Sequence, residues 1–369
     1  MNLSVDNNQQ AFFELLRAGL WEKDAQLSQF NNIDYSAIFS LAEEQSVVGL
    51  VTAGLERVTD IKVPKEIVLQ FIGGTLQIEQ QNKGMDVFIE ELIGILRRYG
   101  VYALIVKGQG VAQCYEKPLW RASGDVDLLL STDNYNAAKN VLIPIATSAE
   151  EEDEKRKHLG LVIEDWVVEL HGTLHTRQLS MVNKVVDEAQ RAVFYEGKVR
   201  SWMNGRTQVF LPAPDEDVIF VFSHIIQHFF GGGIGLRQVC DWCRLLNTYR
   251  ASMDLSLLES RIRRMRMLTE WKAFASLAVN WLGMPVEAMP LYDSSGHWRR
   301  KADKIMEFIL ETGNFGHNRD KSFRKKSALV SKMDSLKRYT QDTLHHATIF
   351  PKDSLMVWGR MVARGLKSV

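Results

Sequence analysis

Apolar positions recur at helical spacing through the first hundred residues of the chain. The segments 11–20, 35–55 and 66–99 each place apolar side chains three and four residues apart, which puts them on one face of a helix. The last segment is a single long amphipathic stretch, and it ends at Gly100 because glycine favours the position that follows a helix. Three amphipathic helices are therefore predicted before the first strand.

Short apolar runs replace this pattern in the middle of the chain. The run 101–106 is rich in β-branched residues, which predicts a strand buried on both faces. Four more strands are predicted downstream, at 125–130, 161–164, 166–170 and 208–211. Short helical segments are expected after Gly110 and at 135–141.

Helical spacing returns after Pro214. Three acids follow this proline, and acids in the first turn favour a helix N-terminus. Helices are predicted at 218–230, 236–249, 255–282 and 301–311 and in the remaining tail. The whole pattern predicts an α/β (α+β) fold in three regions: an N-terminal helical region at 1–84, an α/β core at 85–213 and a C-terminal helical region at 214–369.

Charge balance narrows the classes of partner. The 369 residues contain 45 Lys plus Arg and 45 Asp plus Glu, so the formal net charge is zero. A protein that coats nucleic acid usually carries a basic excess, so nucleic acid is not expected as the main partner. Basic runs at 261–266 and 321–338 are interpreted as solvated helix faces, and they leave an RNA acceptor open.

Cysteine usage and the N-terminal sequence indicate the cellular setting. The three cysteines, Cys114, Cys240 and Cys243, are a low and odd number that argues against a disulfide framework. The first residues lack a basic stretch followed by an apolar core, so no secretory signal is predicted. No apolar run reaches the roughly 18 residues of a membrane span. A cytoplasmic location without a membrane partner is expected.

The strongest chemical signal is Asp125-Val126-Asp127 at the start of a predicted strand. Side chains two residues apart on a strand point to the same face, so the two carboxylates project together. Like charges this close repel each other unless a cation lies between them, and Mg²⁺ prefers carboxylate oxygen. The alternative is a pair of solvent-facing acids, since the Asp-x-Asp pattern also occurs by chance.

Glu169 adds a third acid, inside the predicted strand 166–170. An ionisable side chain in an apolar strand is costly unless it is paired. If this strand neighbours the strand of the two aspartates, the three carboxylates could share a two-metal site that activates a hydroxyl and neutralises phosphate charge. An edge strand whose glutamate faces water is the alternative, because strand adjacency cannot be read from the sequence.

The turn Lys107-Gly108-Gln109-Gly110 joins the predicted strand 101–106 to a short helix. Glycines in such a turn let the backbone approach a phosphate closely, and the N–H groups of a helix start favour an anion. Lys107 and Arg121 would add positive charge for a triphosphate. Most Gly-x-Gly turns, however, are only turns.

Histidines near the third acid are further candidates. His158 and His171 could contact substrate beside the acidic side chains. His171 and His175 have the four-residue spacing of a helical zinc pair, but His171 ends a strand. Histidines satisfied within the fold are therefore the expected case for this spacing.

Four separated blocks occur in an order that resembles a known family. The blocks are Val106-Lys107-Gly108-Gln109-Gly110-Val111-Ala112, Arg121, Gly124-Asp125-Val126-Asp127-Leu128-Leu129 and Val168-Glu169-Leu170-His171. They resemble the Lys-Gly turn, the Arg, the Asp-hydrophobic-Asp and the Glu-hydrophobic-His of the bacterial uncharacterised nucleotidyltransferase family, within the nucleotidyltransferase superfamily. The resemblance covers residues 85 to 250.

This resemblance implies a nucleotidyltransferase-like mixed sheet core with a metal-dependent site. Asp125 and Asp127 would bind Mg²⁺ or Mn²⁺, and Glu169 would complete the acidic, catalytic set. The implied nucleotide-binding residues are Lys107, Gly108, Gln109, Gly110 and Arg121. The implied reaction moves a nucleoside monophosphate from a triphosphate such as ATP to a hydroxyl of an unknown acceptor, which could be a small molecule, a protein or RNA.

Two other interpretations remain open. Gln109 stands where the superfamily usually has Gly or Ser, which favours a catalytically inactive relative that serves as a binding or scaffold module. A metal-dependent phosphohydrolase could use the same three acids. The reaction products distinguish a phosphohydrolase from a nucleotidyltransferase, because hydrolysis releases phosphate or free nucleotide instead of pyrophosphate and an adduct.

Overall fold

The chain folds around a seven-stranded mixed sheet. The computed structural model describes residues 6–176, 179–316, 318 and 328–365. The strands are β1 (Ala103–Val106), β2 (Asp125–Leu130), β3 (Ser148–Ala149), β4 (His158–Ile163), β5 (Trp166–His171), β6 (Val199–Asn204) and β7 (Thr207–Pro212). Their order across the sheet is β3-β4-β5-β2-β1-β7-β6. Helices flank the sheet, which confirms the predicted α/β layout.

Helices form most of the described chain. The first group comprises α1 (Asn7–Trp21), α2 (Tyr35–Glu44), α3 (Val48–Leu55) and α4 (Lys65–Arg98). Helices between strands are α5 (Gly108–Ala112), α6 (Thr132–Leu142) and α7 (Ser180–Tyr195). The last group comprises α8 (Pro214–Gly231), α9 (Leu236–Tyr249), α10 (Leu255–Met265), α11 (Leu268–Asn280), α12 (Gly296–Thr312), α13 (Ala328–Ala347) and α14 (Pro351–Gly365). Within the described part of the chain, no helix is both long and apolar enough to cross a membrane.

The two faces of the sheet pack on different cores. Leu128 of β2 belongs to a buried apolar cluster with α4 and α6, whereas Leu129 belongs to a larger cluster with α7 and α8. Because side chains alternate along a strand, Asp125 and Asp127 lie on the same face as Leu129. Both neighbours of β2 are also strands, since β5 pairs with it in parallel and β1 in antiparallel orientation. The two aspartates therefore project from the middle of the sheet toward the C-terminal helices.

Two of the predicted helices are divided in the structure. The segment 35–55 contains α2 and α3, and Ser46 between them has a φ of 56°. The segment 255–282 contains α10 and α11, and Arg266 between them has a φ of 60°. This left-handed backbone conformation ends a helix, but the apolar spacing continues across it. The spacing of apolar residues alone therefore predicted one helix where the structure has two.

Among the strands and α-helices of the described residues, two strands and one helix were absent from the sequence prediction. Both residues of β3 are exposed, and β6 has no continuous buried run, so neither strand has an apolar signature. Helix α7 does have one, because it buries Val182, Val185, Val186 and Ala189 at helical spacing. Helix α4 is continuous across residue 84, where the first of the three predicted regions ends, and the three-region division stays a prediction.

The basic run 261–266 is only partly solvated, contrary to the sequence interpretation. Arg261 is buried, and its Nη2 donates to Glu216 at 3.0 Å, so the charge is paired inside the fold. Arg263 and Arg264 are exposed and pair with acidic side chains at the surface. Most of the second run, 321–338, lies outside the residues whose side chains the structure describes.

Glu270 on α11 is a buried carboxyl group whose titration affects stability. Burial, and then the nearby Asp353 of α14, raise the pKa of Glu270 to about 8. Above the ordinary pKa of 4.5 the unfolded chain therefore binds fewer protons, so the free energy of unfolding falls as the pH rises toward about 8. We expect Glu270→Gln to match the wild type near pH 4 and to exceed its stability by about 4 kcal/mol at pH 8.

Urea unfolding of both proteins across this pH range measures the difference. Glu287→Gln is the matched control, because Glu287 is exposed in the 3-10 turn Val286–Ala288. This control should show no stabilisation at any pH. A gain in Glu270→Gln that is the same at low and high pH would contradict the assignment of the effect to the buried charge.

Candidate active site

The register of β2 and β5 brings Asp125, Asp127 and Glu169 together. Asp127 lies directly opposite Glu169 across the parallel pair, and Asp125 lies two residues along the same face. One carboxylate oxygen from each residue lies within 4.8 Å of the others. The two strands are thus neighbours, as a shared site of the three acids required. These three residues are called the carboxylate cluster from here on.

Asp127 is buried and has two basic neighbours. Lys107 Nζ and His171 Nε2 each lie 2.7 Å from Asp127 Oδ1. Burial acts to raise the pKa of Asp127, but the charge of Lys107 and the bond from His171 outweigh it and lower the pKa below its ordinary value. Asp127 therefore remains a carboxylate at neutral pH.

Asp125 and Glu169 have pKa values shifted in opposite directions. The charge of Asp127, and then burial, raise the pKa of Asp125. Glu169 Oε2 lies 3.2 Å from His158 Nε2 and 3.3 Å from His171 Nε2. Burial opposes ionisation of Glu169, but these two histidine contacts prevail and lower its pKa. Asp125 is therefore the least stabilised charge of the carboxylate cluster.

Lys107 joins β1 to α5 in a strained backbone conformation. Its φ of 58° and ψ of −145° belong to a region that glycine occupies more readily. Burial acts to lower the pKa of Lys107, but the charges of Asp127, Glu169 and Asp125 outweigh it and raise the pKa. The sequence predicted a phosphate contact for Lys107, and the structure places its ammonium on the carboxylate cluster.

Arg121 lies in a buried ion pair with Asp241 of α9. Its Nη2 and Nε contact the two carboxylate oxygens at 2.6 and 3.1 Å, and the two side chains are 6% and 7% exposed. Tyr115 Oη donates to the same carboxylate at 2.7 Å. The guanidinium fork of Arg121 is thus engaged within the fold, and its predicted role in nucleotide binding stays a prediction.

Gln109 has a buried side chain that connects α4 to the segment before β2. Its Nε2 donates to Asp86 Oδ1 at 2.9 Å, and its Oε1 accepts from Ser123 Oγ at 3.0 Å. Burial raises the pKa of Asp86 to about 6. Gly108 lines the cleft described below, whereas Gln109 and Gly110 are not among its described lining residues. The departure from Gly or Ser at Gln109 therefore does not obstruct this opening.

The carboxylate cluster borders a cleft of about 550 Å³, a volume typical of small-molecule sites. The predicted site residues that line it are Lys107, Gly108, Arg121, Asp125, Asp127, His158, Glu169 and His171. Other walls come from α8, α9 and the segment 173–176, and Tyr339 of α13 also lines the cleft. One opening therefore reaches both the acidic side chains and the C-terminal helices.

The polar residues of this cleft that were not among the predicted site residues include Arg156, His224, His228 and Arg237. His224 and His228 are one helical turn apart on α8, with ring centroids 4.3 Å apart. Burial, and then the charge of Lys107, lower the pKa of His224 well below its ordinary value. Their four-residue spacing was visible in the sequence, but nothing in the sequence placed α8 over the sheet.

A comparison with protein families identifies the class of protein to which this chain belongs. Residues 31–283, more than half of the chain, match the family described as "Uncharacterised nucleotidyltransferase". The chain therefore belongs to this nucleotidyltransferase family, which confirms the resemblance drawn from its motifs. The comparisons with curated proteins and with solved structures found no match. The matched residues include every member of the carboxylate cluster, whereas α12, α13 and α14 lie beyond them.

Proposed function

We propose that the protein transfers a nucleoside monophosphate from a nucleoside triphosphate to a hydroxyl of an acceptor, with a divalent cation as cofactor. One observation carries this proposal. Asp125, Asp127 and Glu169 place carboxylate oxygens within 4.8 Å of one another at the edge of a cleft large enough for a nucleotide. Membership of a nucleotidyltransferase family supports the reaction class at a coarse level.

The residues present fit a hard divalent cation. Carboxylate oxygens are the ligands that Mg²⁺ and Mn²⁺ prefer, and the carboxylate cluster offers one from each of three side chains. The cluster also attracts positive charge in this structure, because the Lys107 ammonium contacts Asp127 at 2.7 Å. When bound there by Asp125, Asp127 and Glu169, the cation would neutralise negative charge on the reacting phosphate.

The remaining groups of the cleft orient the substrates. In the reaction, the acceptor oxygen bonds to the α-phosphorus, the bond from that phosphorus to the bridging oxygen breaks, and pyrophosphate leaves with the electron pair. Lys107 and Arg237 lie near the carboxylate cluster, since each lowers the pKa of Asp125, and both line the cleft. We propose that these two residues bind the triphosphate. Glu169 would either bind the cation or accept the proton of the acceptor hydroxyl.

Thermal unfolding with each nucleoside triphosphate, with and without Mg²⁺, tests the proposal first. A ligand that binds only the native state stabilises it by about 2.7 kcal/mol at a hundredfold excess over its Kd. We expect one or more triphosphates to raise the melting temperature only when Mg²⁺ is present, and pyrophosphate to appear when cell extract is added as the acceptor source. The corresponding diphosphate and EDTA-treated protein are the controls. No shift with any triphosphate would contradict the proposal.

A catalytically inactive binding module is the second candidate, and Lys107 is the observation that favours it. An ammonium group that already neutralises Asp127 competes with a cation for the same carboxylate. The same experiment separates the two candidates. Nucleotide binding without pyrophosphate from any acceptor fraction supports the binding module, and release of free phosphate instead supports a phosphohydrolase.

A further inference from the structure

His158, Glu169 and His171 form a second group of metal-ligating side chains beside the carboxylate cluster. His158 and His171 are direct partners across the antiparallel pair of β4 and β5, so their side chains lie on one face of the sheet. Glu169 precedes His171 by two residues and therefore shares that face. One ligand atom from each of the three residues lies within 4.8 Å of the others.

The distances from the two histidines to Glu169 match those between neighbouring ligands of a cation. His158 Nε2 and His171 Nε2 lie 3.2 and 3.3 Å from the same oxygen, Glu169 Oε2. Tetrahedral bonds of about 2.0–2.1 Å separate neighbouring ligand atoms by about 3.3–3.4 Å. A charge-assisted hydrogen bond would instead measure about 2.7–2.9 Å, as the 2.7 Å contact between His171 and Asp127 does. The two nitrogens thus converge on one oxygen, and the hydrogen bond between His158 and Glu169 is long at 3.2 Å.

We propose that His158, Glu169 and His171 bind a second cation of the borderline transition-metal class, such as Zn²⁺ or Co²⁺. Two imidazole nitrogens and one carboxylate suit these ions, whereas Mg²⁺ prefers the all-oxygen carboxylate cluster. All three residues line the cleft, so the cation is reached from solvent and has room for a water or substrate ligand. His171 then gives up its bond to Asp127, which keeps Lys107 as its partner.

Titration of EDTA-treated, tag-free full-length protein with Co²⁺ tests this site by its visible absorption, without any measurement of activity. We expect His158→Ala and His158→Gln to weaken Co²⁺ binding by at least about tenfold, because even changes outside the ligand set cost that much. His175→Ala is the matched control: His175 lines the same cleft, but its Nε2 contacts Asp187 at 2.5 Å. This control should keep the wild-type Co²⁺ affinity.

The outcomes distinguish this site from the proposed nucleotide site. Unchanged Co²⁺ affinity in both His158 variants, with wild-type urea midpoints, would overturn the inference. An equal loss of Co²⁺ affinity in His175→Ala would also overturn it, because the loss would then not be specific to the proposed ligands. Failure of the nucleotidyltransferase proposal would leave the Co²⁺ result standing. If the His158 variants lose only the Mg²⁺-dependent nucleotide shift, His158 is a substrate contact and the second cation site is refuted.

Discussion

Replacing Asp125 by asparagine is expected to abolish the Mg²⁺-dependent nucleotide shift and, at the same time, to stabilise the EDTA-treated protein. Asp125 offers an oxygen to the carboxylate cluster, yet the charge of Asp127 raises its pKa. Two like unit charges about 4 Å apart cost about 1 kcal/mol even in bulk water. Removal of one of them should therefore raise the free energy of unfolding by about 1 kcal/mol, while the nucleotide-induced stabilisation of about 2.7 kcal/mol disappears.

Asp127→Asn should change the free energy of unfolding in the opposite direction, and Asp165→Asn is the neutral control. Lys107 and His171 lower the pKa of Asp127, so the loss of its charge should destabilise the protein as well as remove the nucleotide shift. Asp165 is exposed in the turn between β4 and β5, and its amide variant should behave as the wild type. A nucleotide shift that survives in Asp125→Asn would exclude the carboxylate cluster as the nucleotide and cation site.

The candidate site was predictable from the sequence as far as local spacing determines it. Asp125 and Asp127 had to share a face once the strand was recognised, because strand side chains alternate. Glu169 was marked by its polar character inside an apolar strand. The direct pairing of Asp127 with Glu169 was beyond local reasoning, since it depends on β5 entering the sheet beside β2. Long-range strand order is set by packing of the whole sheet, and one sequence does not display it.

The partners of the predicted cations were the least predictable part of the site. Lys107 and Arg121 were assigned to phosphate because free positive charge near a glycine turn suits an anion. In the structure each of them pairs with a carboxylate of the fold: Lys107 with Asp127 of the neighbouring strand and Arg121 with the distant Asp241. Buried charges are costly unless they are paired, so folding selects such partners before any ligand does. A local motif therefore identifies which residues lie at a site more readily than it identifies the partners that those residues contact.

Arg121→Ala is expected to lower the free energy of unfolding by about 3–5 kcal/mol, the usual cost of removing one partner of a buried ion pair. The substitution would leave the carboxylate of Asp241, which is 7% exposed, without its two contacts at 2.6 and 3.1 Å. The hydroxyl of Tyr115 supplies one neutral hydrogen bond, and the nearby charge of Arg237 offsets only part of the loss. Urea unfolding at neutral pH measures the loss.

Arg263→Ala is the matched control for this loss. Arg263 also pairs with a carboxylate, that of Glu259 at 2.6 Å, but its side chain is 58% exposed. Exposed pairs contribute about 0–1 kcal/mol, so burial is the variable that separates the two arginines. If Arg121→Ala unfolds like this control but loses the nucleotide shift, Arg121 acts on the nucleotide, as the sequence suggested. If it is strongly destabilised and still binds nucleotide under stabilising conditions, its role is to fasten the segment before β2 to α9, which fixes where Asp125 and Asp127 enter the sheet.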